Sequence, residues 1–223
     1  MRAVTDSNAA RAATEHLCQT YWFPVYSYVR RRGNSHHDAA DLTQKFFVYV
    51  LEKEFLNHVR PEQMRFRAFL LTTLKNFMTG DWRKRTAARR GGLLNFLSLD
   101  EAEIRYQSDL AEECSAETLF ERSWVESLLK SALNRLQREY AVADKSHVFD
   151  AVHGYLVAGS EQIPQAEIAA RLQMSTAAVA MCVHRLRKRY GQVIREEIAS
   201  TVATPEEVDD ELHRLMAILA ESR

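Results

Sequence analysis

Only seven glycines and four prolines interrupt 223 residues. Between them the apolar residues recur at helical spacing. Phe46, Phe47, Val50 and Leu51 form one stripe. Phe66, Phe69, Leu70, Leu74, Phe77 and Met78 form a second, and Leu128, Leu129, Ala132, Leu133 and Leu136 a third. No stretch combines sustained apolar–polar alternation with hairpin turn residues, so strands are not expected. The pattern predicts an all-α protein. The breakers, among them Pro24, Gly33, Pro61, Gly80, Gly91 and Gly92, read as punctuation between helices.

The longest stretches free of Asp, Glu, Lys and Arg are Leu17–Val29 and Leu172–His184. Both fall short of the ~20 apolar residues of a spanning helix. The first residues hold no apolar run of a secretory signal. Three widely spaced cysteines, Cys18, Cys114 and Cys182, suit neither a disulfide framework nor a Cys-based zinc site. A reducing cytoplasm is the expected location. His36, His37, His147 and His153 lack metal-ligand spacing, and no phosphate-binding or nucleophile motif occurs, so no cofactor, metal or enzyme activity is expected.

Thirty Lys and Arg balance thirty Asp and Glu, which gives zero net charge. The sum hides segregation. Arg60–Gly92 holds nine cations and two carboxylates, net +7; Ser98–Glu126 holds nine carboxylates and two cations, net −7. Arg171–Arg195 carries six cations and no carboxylate, and Glu196–Glu211 carries seven carboxylates and no Lys or Arg. Two basic segments each followed by an acidic one point to a charged partner.

Local signals refine the helices. Asp38 is expected to cap a helix running to about His58. Thr204-Pro205-Glu206-Glu207 reads as a capping box with Pro at the first helical position. The helix it opens would bury Val208, Leu212, Leu215, Met216 and Leu219. Two placements are open for it: packing on the second half of the chain, or covering the basic segment there. A boundary falls after Gly92, and the following segment, to about Leu119, is acidic and weakly periodic and reads as a linker; a coil of ~30 residues spans roughly 30 Å on average and up to ~100 Å extended.

Pro164 to Tyr190 predicts a helix-turn-helix. Ile168, Ala169 and Leu172 face inward from the first helix, Gln173-Met174-Ser175 forms the turn, and Val179, Val183 and Leu186 face inward from the second. In such a motif the second helix enters the major groove. Ser175, Thr176, Ala177, Ala180 and Met181 would meet base edges. His184, Arg185, Lys188 and Arg189 would meet phosphates.

From about His16 to Ser200 the chain resembles a bacterial RNA polymerase sigma factor of the extracytoplasmic-function group, within the sigma-70 family. Asp38-Ala-Ala-Asp-Leu-Thr-Gln-Lys-Phe-Phe-Val-Tyr-Val-Leu-Glu52 is similar to the family's DAxDLxQxxFxxxL helix. That likeness implies docking on the clamp helices of the polymerase β′ subunit through Asp41, Gln44, Lys45 and Glu52. Arg65 to Met78, followed by Asp81-Trp-Arg-Lys-Arg85, looks like the family's −10 and melting element. It implies DNA contacts by Lys75, Asn76, Thr79, Trp82, Arg83, Lys84 and Arg85. Cations flanking an aromatic face suit a displaced single strand. Phe77 is expected in the core. Val183-His-Arg-Leu-Arg-Lys-Arg-Tyr190 resembles the end of the family's −35 reader, and implies −35 contacts by Ser175, Thr176, Ala177, Met181, His184, Arg185, Lys188 and Arg189. The Glu206-to-Leu212 tail is similar to a subgroup with an acidic C-terminal helix.

The resemblance implies four parts: 1–92, which binds core polymerase and melts the −10 element; an acidic linker, 93–121, threading the polymerase cleft; 122–200, which reads the −35 element; and an acidic C-terminal helix, 201–223. Implied partners are core RNA polymerase through its β′ and β subunits, promoter DNA, and an anti-sigma regulator. Three positions depart from the family. Ala180 stands where a basic residue is usual, Gln173 replaces a turn glycine, and the Asn-to-Asp spacing is stretched from Asn76 to Asp81. A reading from another class is a stand-alone helix-turn-helix repressor whose first 92 residues sense a signal or dimerise.

Overall fold

The computed structural model describes residues 18–52, 66–80, 99–109, 114–156, 163–202 and 204–221. All regular structure among them is helical, as the spacing predicts. Residues 18–31 form α1. Next come α2 (His36–Glu52), α3 (Phe66–Met78), α4 (Leu99–Asp109) and α5 (Ala116–Val142). They are followed by α6 (Ser146–Val152), a 3-10 turn (His153–Leu156), α7 (Gln165–Leu172), α8 (Thr176–Ala199) and α9 (Pro205–Glu221). No helix among the described residues is long and apolar enough to cross a membrane.

The chain forms two units. The first joins Met1–Ser127 to Thr201–Arg223, and the second is Leu128–Ser200. This division differs from the four-part reading. The second unit is an insertion in the sequence of the first, and α5 gives its first turns to one unit and its last turns to the other.

In the first unit α1 is the central helix. Residues 20–29 are buried without a break, so it is covered on all sides. This is why Leu17–Val29 lacks charge. Pro24 lies inside α1 and does not end it. Proline removes one backbone donor; burial of Tyr21, Trp22, Phe23, Val25 and Tyr26 around it outweighs that loss. Phe46, Phe47 and Val50 of α2, Leu70, Leu74 and Phe77 of α3, and Phe120 and Trp124 of α5 complete the core.

The start of α2 lies two residues before the expected cap. Ser35 is the capping residue: its Oγ accepts from the Asp38 amide at 3.2 Å and donates to Asp38 Oδ2 at 2.7 Å. The expected continuation to His58 lies outside the described residues.

The described residues of the acidic segment read as a linker are mostly helical, and α4 packs within the first unit. Arg30 of α1 makes a bidentate pair with Glu103 of α4, at 2.9 and 2.6 Å, and the Tyr26 hydroxyl donates to the same carboxylate at 2.5 Å. The Arg105 guanidinium lies 3.7 Å from the centroid of the Phe23 ring, and that of Arg30 lies 4.7 Å from Tyr106. Ala102 and Tyr106 are buried beneath these contacts.

The C-terminal helix belongs to the first unit, whereas packing on the second half of the chain was one of the placements expected from sequence. Its capping box forms as read: Thr204 N donates to Glu207 Oε2 at 3.2 Å and Glu207 N to Thr204 Oγ1 at 3.4 Å. Its inner face is Val208, Glu211, Leu215 and Ile218, whereas Met216 is 62% exposed. Glu211 faces Arg67 of α3, which is 8% exposed. Arg67 Nε donates to Glu211 Oε2 at 3.2 Å, and Arg67 Nη1 to Glu121 Oε1 of α5 at 2.6 Å. The guanidinium also lies 4.8 Å from the Trp124 ring centroid. Arg214 of α9 pairs with the other oxygen of Glu121. Burial alone would lower the Arg67 pKa; Glu211 and Glu121 outweigh it, and the net direction is up.

The second unit packs Leu136, Phe149, Val152, Tyr155, Ile168, Val179, Val183 and Leu186 into one cluster. The Tyr190 hydroxyl donates to Leu129 O at 3.1 Å and fastens the middle of α8 to α5.

Two predictions follow from these contacts. Glu211→Ala leaves a buried guanidinium short of one carboxylate, and should lower unfolding free energy by about 3 kcal/mol; an unchanged urea midpoint would contradict the buried pair. The Glu103 carboxyl is held down at about 2 from 4.5, chiefly by hydrogen bonds from Arg30 against the opposing effect of burial. A depressed pKa stabilises the fold fully above the ordinary value and is lost as pH falls through the folded one. The stability gap between wild type and Glu103→Gln should therefore be largest at pH 6 and shrink as pH drops from about 4.5 toward 2. A gap constant between pH 6 and pH 3 would refute the Glu103 assignment.

Candidate nucleic-acid and polymerase surfaces

Three surfaces carry the residues singled out in the sequence. The first lies along α2. Its inner face is fixed by Ala39, Thr43, Phe46, Phe47 and Val50, all buried, with Thr43 Oγ1 donating to Ala39 O at 2.7 Å. This turns Asp41 outward. Asp41 is exposed and pairs with Lys45 one turn later at 2.5 Å. Gln44 and Lys45 are half-buried, and Glu52 is the last residue of the helix. Asp41 and Lys45 thus form an i,i+4 pair on one solvent face, of a kind worth only tenths of a kcal/mol and readily exchanged for a partner.

The second surface is the C-terminal end of α3. Leu70, Leu74 and Phe77 point inward, and Phe77 packs against Phe46 with ring centroids 5.5 Å apart. Phe77 is a core residue, as expected. Lys75, Asn76 and Thr79 are exposed at this end, with Thr79 Oγ1 donating to Asn76 O at 3.0 Å. Lys75 is also ion-paired to Glu117 at the start of α5, at 2.8 Å. The hydrogen bond between them raises the Lys75 pKa and lowers that of Glu117. Trp82, Arg83, Lys84 and Arg85 lie outside the described residues.

The third surface is the outward stripe of α8. The turn before it explains a departure seen in the sequence. Gln173 adopts φ 54° and ψ 40°, the left-handed conformation in which glycine is usual. It closes α7 with its amide bonded back into that helix, and Met174 N donates to Ala169 O at 2.9 Å. Ser175 caps α8 by accepting from Ala178 N at 3.2 Å. Val179, Val183 and Leu186 are then buried, so Thr176, Ala177, Ala180, Met181, His184, Arg185 and Lys188 face solvent.

Arg189, expected toward phosphate, is engaged by carboxylates of its own unit. Its guanidinium donates to both oxygens of Glu139 on α5, at 2.8 and 2.6 Å, and to Glu196 two helical turns further along α8 at 2.8 Å. These hydrogen bonds raise its pKa and lower those of Glu139 and Glu196. Arg187 likewise donates to the Tyr155 carbonyl, at 3.1 and 3.0 Å. Two of the cations in the Arg185–Arg189 run therefore hold α8 to its neighbours. Helical phase gives a partial sequence signal for this division: 185 and 188 share the outward stripe with 181 and 184, while 189 follows 186 by three residues on the inward side.

Among the described residues no cluster of His, Cys, Asp and Glu has the arrangement of a metal site. In comparison with known proteins, residues 17–88 fit the family model described as Sigma-70 region 2. The match covers the α1–α3 frame and supports a sigma-70 family factor. No curated protein and no solved structure matches the chain.

The division of the α8 cations is testable. Arg189→Ala should lower unfolding free energy by about 1 kcal/mol through loss of the carboxylate network, whereas Lys188→Ala should leave the melting temperature unchanged. Equal melting temperatures for the two variants would contradict it.

Proposed function

We propose that this chain is a promoter-specificity subunit of bacterial RNA polymerase, of the extracytoplasmic-function group, acting in the cytoplasm. The observation that carries the reading is the Sigma-70 region 2 match over residues 17–88. It favours a polymerase subunit over the stand-alone repressor.

On this reading Asp41, Gln44, Lys45 and Glu52 dock on the β′ clamp helices. The polar, solvent-facing Asp41–Lys45 pair supports that role, because it is a weak contact that a partner can replace. Lys75, Asn76, Thr79, Trp82, Arg83, Lys84 and Arg85 engage the −10 element and hold the displaced strand. The second unit reads the −35 element through α8, with Ser175, Thr176, Ala177 and Met181 toward bases and His184, Arg185 and Lys188 toward phosphates. Arg189 contributes to that surface by fixing the position of α8. The protein supplies binding and strand separation, and phosphodiester chemistry remains with the polymerase. An anti-sigma regulator competing for the same surfaces fits this scheme.

The direct test is in vitro transcription with purified core polymerase on a genomic template library. Promoter-dependent initiation that requires the chain is expected. Asp41→Lys should reduce initiation tenfold or more at limiting protein, through weaker core binding. Arg185→Ala should weaken −35-dependent promoters more than it weakens single-strand binding. No promoter-dependent initiation would overturn the reading.

A further inference from the structure

The outward stripe of α8 has an unusual chemistry for a helix that reads DNA. Its first two turns expose Thr176, Ala177, Ala180 and Met181, with Met181 51% exposed. The Ser175 hydroxyl oxygen accepts from Ala178 N as the helix cap. Thus no Arg, Lys, Asn or Gln stands on this stripe before Arg185. Those are the side chains that read guanine or adenine by paired hydrogen bonds in the major groove. Meanwhile His184, Arg185 and Lys188 continue the same stripe, and no carboxylate occurs between Arg171 and Arg195. Beyond the hydroxyls of Ser175 and Thr176, the surface is therefore apolar where bases are met and cationic where phosphates follow. Polyanionic duplex DNA complements it, and an apolar protein partner would leave its cations unmatched.

We infer that Ala177, Ala180 and Met181 select the upstream promoter element through the 5-methyl groups of thymine. The thymine methyl is the apolar feature of the major-groove edge, and alanine and other apolar groups contact it. Met181 supplies the longest and most adaptable of the three side chains. Cations further along the helix fix the register on the backbone, so the apolar contacts need to supply discrimination only. The inference rests on the reading of α8 as the −35-facing helix, and it specifies what that helix distinguishes.

Holoenzyme assembled from the full chain and core polymerase tests it. The upstream element is first selected from a randomised duplex pool. Selected thymines are then replaced by uracil, which removes only the methyl group, and equilibrium binding is measured. Each contacted thymine should lose about fourfold in affinity, the value of one buried methyl group, while uracil at flanking positions changes nothing. Met181→Ala should abolish the uracil effect at one position, and Ala180→Arg should move one selected position from T·A to G·C. Holoenzyme that initiates at promoters yet binds uracil and thymine elements equally would overturn this inference and leave the sigma-factor reading standing. A selected element lacking thymine at the contacted positions would do the same. Failure to form promoter-dependent holoenzyme would overturn both.

Discussion

The guanidinium of Arg67 is the contact on which the first unit's closure depends. A cation this deeply buried must be matched by carboxylates, because an unpaired charge away from water costs several kcal/mol. Glu121 and Glu211 supply them from α5 and α9, and the face of Trp124 packs alongside. One side chain of α3 thus draws in two elements distant in sequence. The helix after residue 204 returns to the first unit, and residues 128–200 become an insertion in it. Val208, Leu215 and Ile218 provide the apolar burial, and the Arg67–Glu211 pair fixes the rotation of α9 on it. The Tyr21 phenol belongs to the same buried neighbourhood; burial pushes its pKa up, with Arg67 opposing.

The zero net charge acquires a structural meaning from these pairs. The acidic segments pair with cations within the folded units. In the first unit Glu103 meets Arg30, Glu117 meets Lys75, Glu121 meets Arg67, and Glu126 meets Arg105. In the second, Glu139 and Glu196 hold Arg189, and Glu196 and Glu197 hold Arg135. The acidic segment is therefore engaged by its own unit, which sets it apart from the free acidic linker that the family resemblance implies. Exposed Arg185 and Lys188 remain on the outward stripe of α8, beside the residues expected to face bases.

Local pattern carried most of the fold. Helical spacing located α2, α3, α7, α8 and α9, and the Thr204–Glu207 capping box formed as read. Burial of Phe77, Val179, Val183 and Leu186 followed from the same spacing. What the sequence concealed was long-range and polar. Arg67 and Glu211 are 144 residues apart, so no periodic signal links them. Because Glu211 takes an inward position, the apolar face of α9 turns away from the expected one, and Met216 is left in solvent. The docking of α4 depends on Glu103, Arg105 and Tyr106, two of which read as ordinary surface charge. Pro24 suggested a break, but a fully buried helix tolerates it. At the candidate sites, Asp41, Met181, Arg185 and Lys188 lie outward as their helical phase requires. The ion pair of Arg189 was not legible because its partner Glu139 lies 50 residues earlier.

The central structural claim is that the C-terminal helix is a working member of the first unit. Hydrogen–deuterium exchange on the free full-length chain tests it most directly. The amides of Glu206–Glu221 should be protected to the same degree as those of Phe66–Met78, and Arg67→Ala should lower both protections together. Rapid exchange throughout Glu206–Glu221 while Phe66–Met78 stays protected would contradict it.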